Sequence, residues 1–308
     1  MKVVFMGTPD FAVPILEAIH NSNHELVAVV TAPDKPAGRG LKMMQSAVKQ
    51  CADAHEIPTL QPENLKNPDF INELKSFGAD LFVVVAFRML PEVVWNMPPK
   101  GTMNLHASLL PNYRGAAPIN WAVINGEQET GLTTFLLKHE IDTGDVLKQL
   151  KMPIGPNETA GELHDRMMLA GADLVVESMD DLEAGNVKPV PQLHTENHIH
   201  APKIFKPDCR VNWNKTANEV HNLIRGMSPY PTAWTTWNGK AIKLFRSLEL
   251  NIAHEGEIGA TQTDNKTYLN IKCADSWLGI VELQLEGKKR MTITDFLRGN
   301  KLENQLFI

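Results

Sequence analysis

The run Asp80-Leu81-Phe82-Val83-Val84-Val85-Ala86 decides how the first half of this chain is read. It is apolar on both faces and rich in β-branched residues, the pattern of a strand covered on both sides, as in a parallel sheet. Outward from it, short apolar runs alternate with helix-period stretches. Toward the N-terminus, Lys2-Val3-Val4-Phe5-Met6 stops at Gly7-Thr8-Pro9, and a helix pattern follows through Phe11, Ile15, Leu16 and Ile19. Leu26-Val27-Ala28-Val29-Val30 is a second strand, 46–54 reads as a helix, 57–60 as a short strand and 69–77 as a helix. Beyond 80–86 come a helical piece over 91–95, a strand over 102–106, a helix near 118–124 and extended runs over 132–138 and 146–150. This rhythm with short connections predicts an α/β fold: a doubly wound, mostly parallel, Rossmann-like sheet with helices on both faces. In such a sheet the working residues gather at the carboxyl ends of the strands.

A long helix closes this half. Thr159-Ala160-Gly161-Glu162 has capping-box spacing, apolar residues from Leu163 to Leu182 recur near helical periods, and Gly185 stands where a helix ends. The proline-rich polar stretch that follows reads as a linker. A second capping box, Thr216 with Glu219, opens a helix that Gly226 ends. Asn238-Gly239 between two alternating runs is a strong hairpin signal. Further short strands are expected over 257–260, 268–273, 279–285 and 291–296, which suggests a small, OB-like β-barrel. The expected division is an α/β domain over 1–188, a linker over 189–207 and a small β-barrel domain over 208–308.

Of the 308 residues, 43% are hydrophobic and 21% charged, an ordinary globular composition. No apolar run approaches the length of a membrane span, and no export signal precedes Lys2, so a cytoplasmic protein without membrane contact is expected. Cys51, Cys209 and Cys273 form no CxxC pair and no disulfide framework, which fits a reducing compartment and idle thiols. The net charge of −6 is unevenly spread: residues 201–308 carry 15 basic against 11 acidic side chains, a net +4, and the first 200 carry 15 against 25, a net −10. A basic module beside an acidic domain is compatible with docking a polyanion.

The chemistry centres on Asn104-Leu105-His106 at the end of a predicted strand. Residues two apart share one face of a strand, so the Asn104 amide and His106 imidazole project together where it runs out. The amide can donate to a developing oxyanion and the imidazole can move a proton near neutral pH. Asp142, in Ile141-Asp142-Thr143-Gly144-Asp145, is the carboxylate expected to orient the imidazole, on a loop 36 residues on.

Asn104 through Pro111 (NLHASLLP), Arg114-Gly115-Ala116-Ala117-Pro118-Ile119, Glu129-Thr130-Gly131 and Asp142-Thr143-Gly144-Asp145 together resemble the folate-dependent formyltransferases. The opening from Phe5 to Pro14, the loop from Asp34 to Gly40, Ala201-Pro202-Lys203-Ile204 and Val211-Asn212-Trp213 resemble the branch of that family whose acceptor is a charged tRNA. The likeness runs from the first residue to about Leu244. It implies 10-formyltetrahydrofolate as donor, the α-amine of methionyl initiator tRNA as acceptor, and no metal. It further implies that Asn104 and His106 stabilise the tetrahedral oxyanion while Asp142 supports His106 and the proton relay. Ser108, Leu109, Leu110 and Pro111 would form part of the folate wall. Lys35, Arg39 and Lys42, on the loop 33–42, would contact the tRNA. Lys203, Lys206, Lys240, Lys243, Lys288, Lys289 and Arg290 are candidates for phosphate contacts. A monomer is expected.

One segment departs from the family pattern. Ala86-Phe87-Arg88-Met89-Leu90-Pro91 lacks the usual glycine and introduces an arginine, read as structural or solvent-facing, beside the expected pterin pocket. His194, His198 and His200 read as a solvated cluster rather than a metal site. Trp234 and Trp237, three apart on a strand, point to opposite faces, so at least one belongs to the core. Other readings stay open: a formyltransferase or formyl-folate hydrolase acting on a different amine, or a tRNA-binding protein on a silent scaffold. A nicotinamide enzyme fails for want of a GxGxxG fingerprint after the first strand.

Overall fold

The computed structural model describes residues 1–37, 42–193, 198–250, 252, 256–302 and 306–307. The chain runs through β1 (Lys2–Gly7), α1 (Val13–His20), β2 (Glu25–Val30), β3 (Lys35–Ala37), β4 (Lys42–Met44), α2 (Ala47–Ala54), β5 (Thr59–Leu60) and α3 (Pro68–Ser76). Next come β6 (Leu81–Val85), α4 (Glu92–Trp95), β7 (Thr102–His106), β8 (Arg114–Gly115), α5 (Pro118–Ile124), β9 (Glu129–Leu136), β10 (Val146–Pro153) and α6 (Ala160–Ala184). The remainder is β11 (His200–Ala201), α7 (Ala217–Gly226), β12 (Ala233–Trp237), β13 (Lys240–Leu250), β14 (Thr261–Thr263), β15 (Leu269–Lys272), β16 (Trp277–Leu285), β17 (Met291–Thr292) and α8 (Ile293–Gly299). Two compact units result: residues 1–115, 131–152 and 164–200 in the first, and 116–130, 153–163 and 201–308 in the second.

The seven-stranded sheet runs in the order β10-β9-β7-β6-β1-β2-β5. From β5 to β7 the neighbours are parallel, and β9 joins β7 antiparallel. All five residues of β6 are buried, as its two-faced apolar pattern demands. On one face Val4, Met6, Phe82 and Val84 pack with Phe70 and Leu74 of α3 and Val94 of α4. On the other, α6 comes so close at Gly171 that a Cβ there would stand 2.7 Å from Leu105. Helix starts follow the local chemistry: the Ser46 hydroxyl accepts from the Lys49 amide, and Asn67 caps α3 ahead of Pro68. Asn104 lies in register with Val84, and Leu105 faces the other way, toward α6. The topology therefore puts Asn104 and His106 on one face at the carboxyl end of an interior strand.

In the second unit a six-stranded antiparallel sheet, ordered β12-β13-β16-β15-β14 with β17 on β16, forms a small barrel-like domain. Its core includes Trp213, Val220, Ile224, Leu244, Leu278 and Phe296. Trp237 rests edge-on against Phe296, while Trp234 donates its indole N–H to the Lys206 carbonyl at 3.0 Å. Two expectations change here. Residues 257–260 form a turn, and the strand starts at Thr261. The stretch 291–296 is a strand for only two residues: the Thr292 hydroxyl accepts from the Asp295 amide, capping α8. Gly226 ends α7 as expected, and packing against α5 requires a glycine there. Its φ is not positive, and a Cβ there would stand 2.5 Å from Ile124 of α5.

Candidate active site

Strand β7 delivers Asn104 half-buried and His106 only 7% exposed. The chain then turns sharply through Ser108–Tyr113 and is tied back to β9. Thr133, the register partner of His106, donates its hydroxyl to the Ser108 carbonyl at 2.7 Å and accepts from the Leu110 amide at 3.1 Å. Gln149 donates to the Leu110 carbonyl at 2.8 Å. Ser108 is fully buried, its hydroxyl donating to the Asn112 carbonyl at 2.7 Å, so it shapes the loop from inside. Leu110 is also buried, whereas Leu109 and Pro111 are half-exposed.

The loop ends by orienting the histidine. His106 Nε2 lies 2.8 Å from the Tyr113 carbonyl. A carbonyl can only accept, so Nε2 carries a proton, and in the neutral ring Nδ1 holds the lone pair. That free nitrogen faces Asp142 Oδ2 at 3.8 Å. The separation is an ion-pair distance and too long for a hydrogen bond. The expectation that Asp142 orients the imidazole is therefore revised: the Tyr113 carbonyl does that, and Asp142 stands across a gap from the open nitrogen.

Asp142 has its own supports. Its Oδ2 accepts from the Gly115 amide at 3.0 Å, and Gly115 sits at φ +128°, a conformation open to glycine. Two residues on, a Cβ at Gly144 would fall 1.6 Å from the Leu136 carbonyl, so only glycine lets the loop pass β9. Gln192 clamps the loop by donating to the carbonyls of Asp142 at 2.9 Å and Gly144 at 2.8 Å. Its Oε1 accepts from Arg114 at 2.6 Å. The arrangement offers an amide, an imidazole with one committed and one open nitrogen, and a carboxylate beyond it. This is equipment for acyl transfer through an oxyanion with a proton relay.

The formyl transferase family model matches residues 1–179, and the model for the formyl transferase C-terminal domain matches 203–301. The chain belongs to the formyl transferase family. A methionyl-tRNA formyltransferase of Bacteroides fragilis is 50% identical over 307 residues, covering 97% of this chain and 95% of the relative. That of Porphyromonas gingivalis is 47% identical over 318 residues, covering 100% and 98%. Among solved structures, the sugar 3N-formyl transferase WlaRD, crystallised with dTDP and 5-N-formyl-THF, superposes with a TM-score of 0.69 at 20% identity, covering 94% of this chain and 99% of that one. HypX from Aquifex aeolicus in complex with tetrahydrofolic acid gives 0.66 at 19% identity, covering 99% of this chain and 50% of that one. At these identities the two structures share the fold.

In the segment 86–91 of this formyl transferase, Ala86 takes φ +46°. Arg88 donates to the carbonyls of Pro62 and Glu63 and lies over the Phe87 ring, the structural reading of that side chain. It lines a cleft of ≈ 910 Å³ with Leu65, Met89, Leu90 and Pro91. Of the basic loop, Lys35 is exposed on β3, which pairs with β4; Arg39 lies outside the described residues, as do the side chain of Lys42 and all of His194. Sequence reasoning missed Gln192, Thr133, Gln149 and the Tyr113 carbonyl. Gln192 sits in a proline-flanked stretch 50 residues from Asp142, and no local pattern marks it.

Proposed function

We propose that this chain transfers a formyl group from 10-formyltetrahydrofolate to the α-amino group of methionyl initiator tRNA, as a cytoplasmic monomer. The likeness to methionyl-tRNA formyltransferases along nearly the whole chain supports this acceptor. The observation that carries the chemistry is the His106 ring, tied at Nε2 and open at Nδ1 toward Asp142. The amine nitrogen attacks the formyl carbon, and the carbonyl oxygen becomes an oxyanion that the Asn104 amide is placed to meet. The attacking amine gives a proton to His106 Nδ1, which makes that nitrogen a donor toward the oxyanion, with the Asp142 carboxylate balancing the charge. The amine's proton then passes through this pair to the folate nitrogen as its bond to the formyl carbon breaks. No metal and no covalent nucleophile enter these steps.

In this reading Ser108 and Leu110 build the folate wall from within, and Leu109 and Pro111 form its surface. Lys35, Arg39 and Lys42 contact the acceptor end of the tRNA, and the basic residues of the domain over 208–308 contact phosphates. The deciding experiment mixes purified protein with 10-formyltetrahydrofolate and either methionyl initiator tRNA or glycinamide ribonucleotide. Formylated product on the tRNA alone is expected. Product on the ribonucleotide alone, or free formate with neither acceptor modified, overturns the reading.

A further inference from the structure

A second group of chemistry-bearing side chains lies on α1 and α2 and shares no residue with the Asn104–His106–Asp142 site. Cys51 on α2 and His55, the residue that caps its C-terminal end, stand four residues apart. Helix α1 presents Glu17 and His20 three apart, on one face. The helices pack so that one ligand atom each from Glu17, Cys51 and His55 lie within 4.8 Å of one another. His20 stands beside the group, its ring centroid 4.4 Å from that of His55 with the planes tilted 41°.

We propose that Glu17, Cys51 and His55, with His20 as a fourth ligand, bind a thiophilic divalent cation of the zinc class and so staple α1 to α2. The donor set selects the ion. One thiolate and two imidazoles suit zinc, while magnesium and calcium require oxygen ligands. Around tetrahedral zinc, neighbouring donor atoms stand roughly 3.3–3.8 Å apart. The separations within 4.8 Å exceed that spacing, and Glu17, His20 and His55 are exposed, so the closing movement falls on surface side chains. Cys51 is the anchored member, 9% exposed, with its thiol donating toward Glu17 Oε1 across 3.9 Å.

Cys209 and Cys273 have no comparable neighbours among the described residues, which confines the thiolate signal to Cys51.

The test is titration of the reduced, metal-stripped full chain with Co²⁺, a spectroscopic stand-in for Zn²⁺. Expected are one ion per chain, a thiolate-to-cobalt charge-transfer band in the near ultraviolet, and intense visible bands of a tetrahedral site that Zn²⁺ abolishes. Cys51→Ser removes the charge-transfer band. His55→Ala and Glu17→Gln, at exposed positions where folding is not at risk, each weaken binding about tenfold or more. Zn²⁺ raises the thermal midpoint of the parent protein and leaves that of His55→Ala in place. A parent protein with no charge-transfer band, a band that survives Cys51→Ser, or unchanged affinity in both His55→Ala and Glu17→Gln overturns the proposal.

Discussion

Each unit of this protein holds a loop with a buried polar network, and the two networks differ in what they leave open. In the second unit Arg225, 5% exposed, donates to the carbonyls of Gly155 and Glu158, both at 3.2 Å, and to Asn222 Oδ1 at 2.8 Å. His221 beside it uses both ring nitrogens, with Ser247 Oγ at 3.0 Å and the Pro156 carbonyl at 3.2 Å. In the first unit Gln192 holds the Asp142–Gly144 loop just as tightly, yet His106 commits only Nε2 and leaves Nδ1 facing a carboxylate across 3.8 Å. A buried histidine with both nitrogens occupied is architecture. One with an open nitrogen can take a proton from a substrate.

The contrast breaks most easily at the histidine. His106→Ala is expected to lower turnover about a hundredfold or more, with a smaller loss of stability as the Tyr113 carbonyl loses its donor. Arg225→Met should do the reverse: unfolding free energy falls by about 2–4 kcal/mol as two carbonyls lose their donor, while the folded enzyme turns over normally. Denaturant unfolding and initial-rate assays of both variants check this, and matching losses of stability and turnover in both would erase the distinction.

Gln192→Leu sharpens the comparison, since Gln192 reaches the chemistry only through the Asp142 loop. Turnover should fall about tenfold, near 1.4 kcal/mol. KM for the folate should hold steady, and the acid limb of the pH–rate profile should shift, which a purely structural lesion would not cause.

The smallest effect is a pH dependence of stability from His221. Burial, only partly opposed by the Pro156 carbonyl, pushes its imidazole below the ordinary value of 6.5. Below pH 6.5 the unfolded chain therefore binds a proton that the folded chain resists. Stability is lost as pH falls through that value toward the lower folded one, with a slope of at most about 1.4 kcal/mol per pH unit. Comparing parent and His221→Gln unfolding between pH 7 and about pH 5 isolates the contribution, and parallel curves would assign the buried charge a different cost.

Much of the scaffold was legible from local chemistry. The two-faced apolar run at β6, the caps at Ser46 and Thr216 and the Asn238-Gly239 turn, with φ +50° and +72°, act within a few residues of themselves. The misses were also local, but ambiguous: in Met291–Phe296 apolar content suggested a strand, while the Thr292–Asp295 cap drew the chain into α8. Asn104 and His106 could be paired from spacing, because alternate strand residues share a face. The orientation of the histidine could not, because it depends on a backbone carbonyl that carries no side-chain signature.

By itself, then, the sequence determined the alternation of elements, the α/β unit followed by a barrel-like one, and the amide–histidine pair at a strand end. Periodicity, capping and turn propensity are short-range terms, and they add up in order along the chain. Only the tertiary structure decided that Tyr113 holds His106, that Gln192 clamps Asp142, and that Glu17 meets Cys51 and His55 across two helices. Each of these joins groups far apart along the chain or runs through the main chain. Such contacts form only where packing has already brought the partners within about 3–5 Å, a condition that no local pattern of residues encodes.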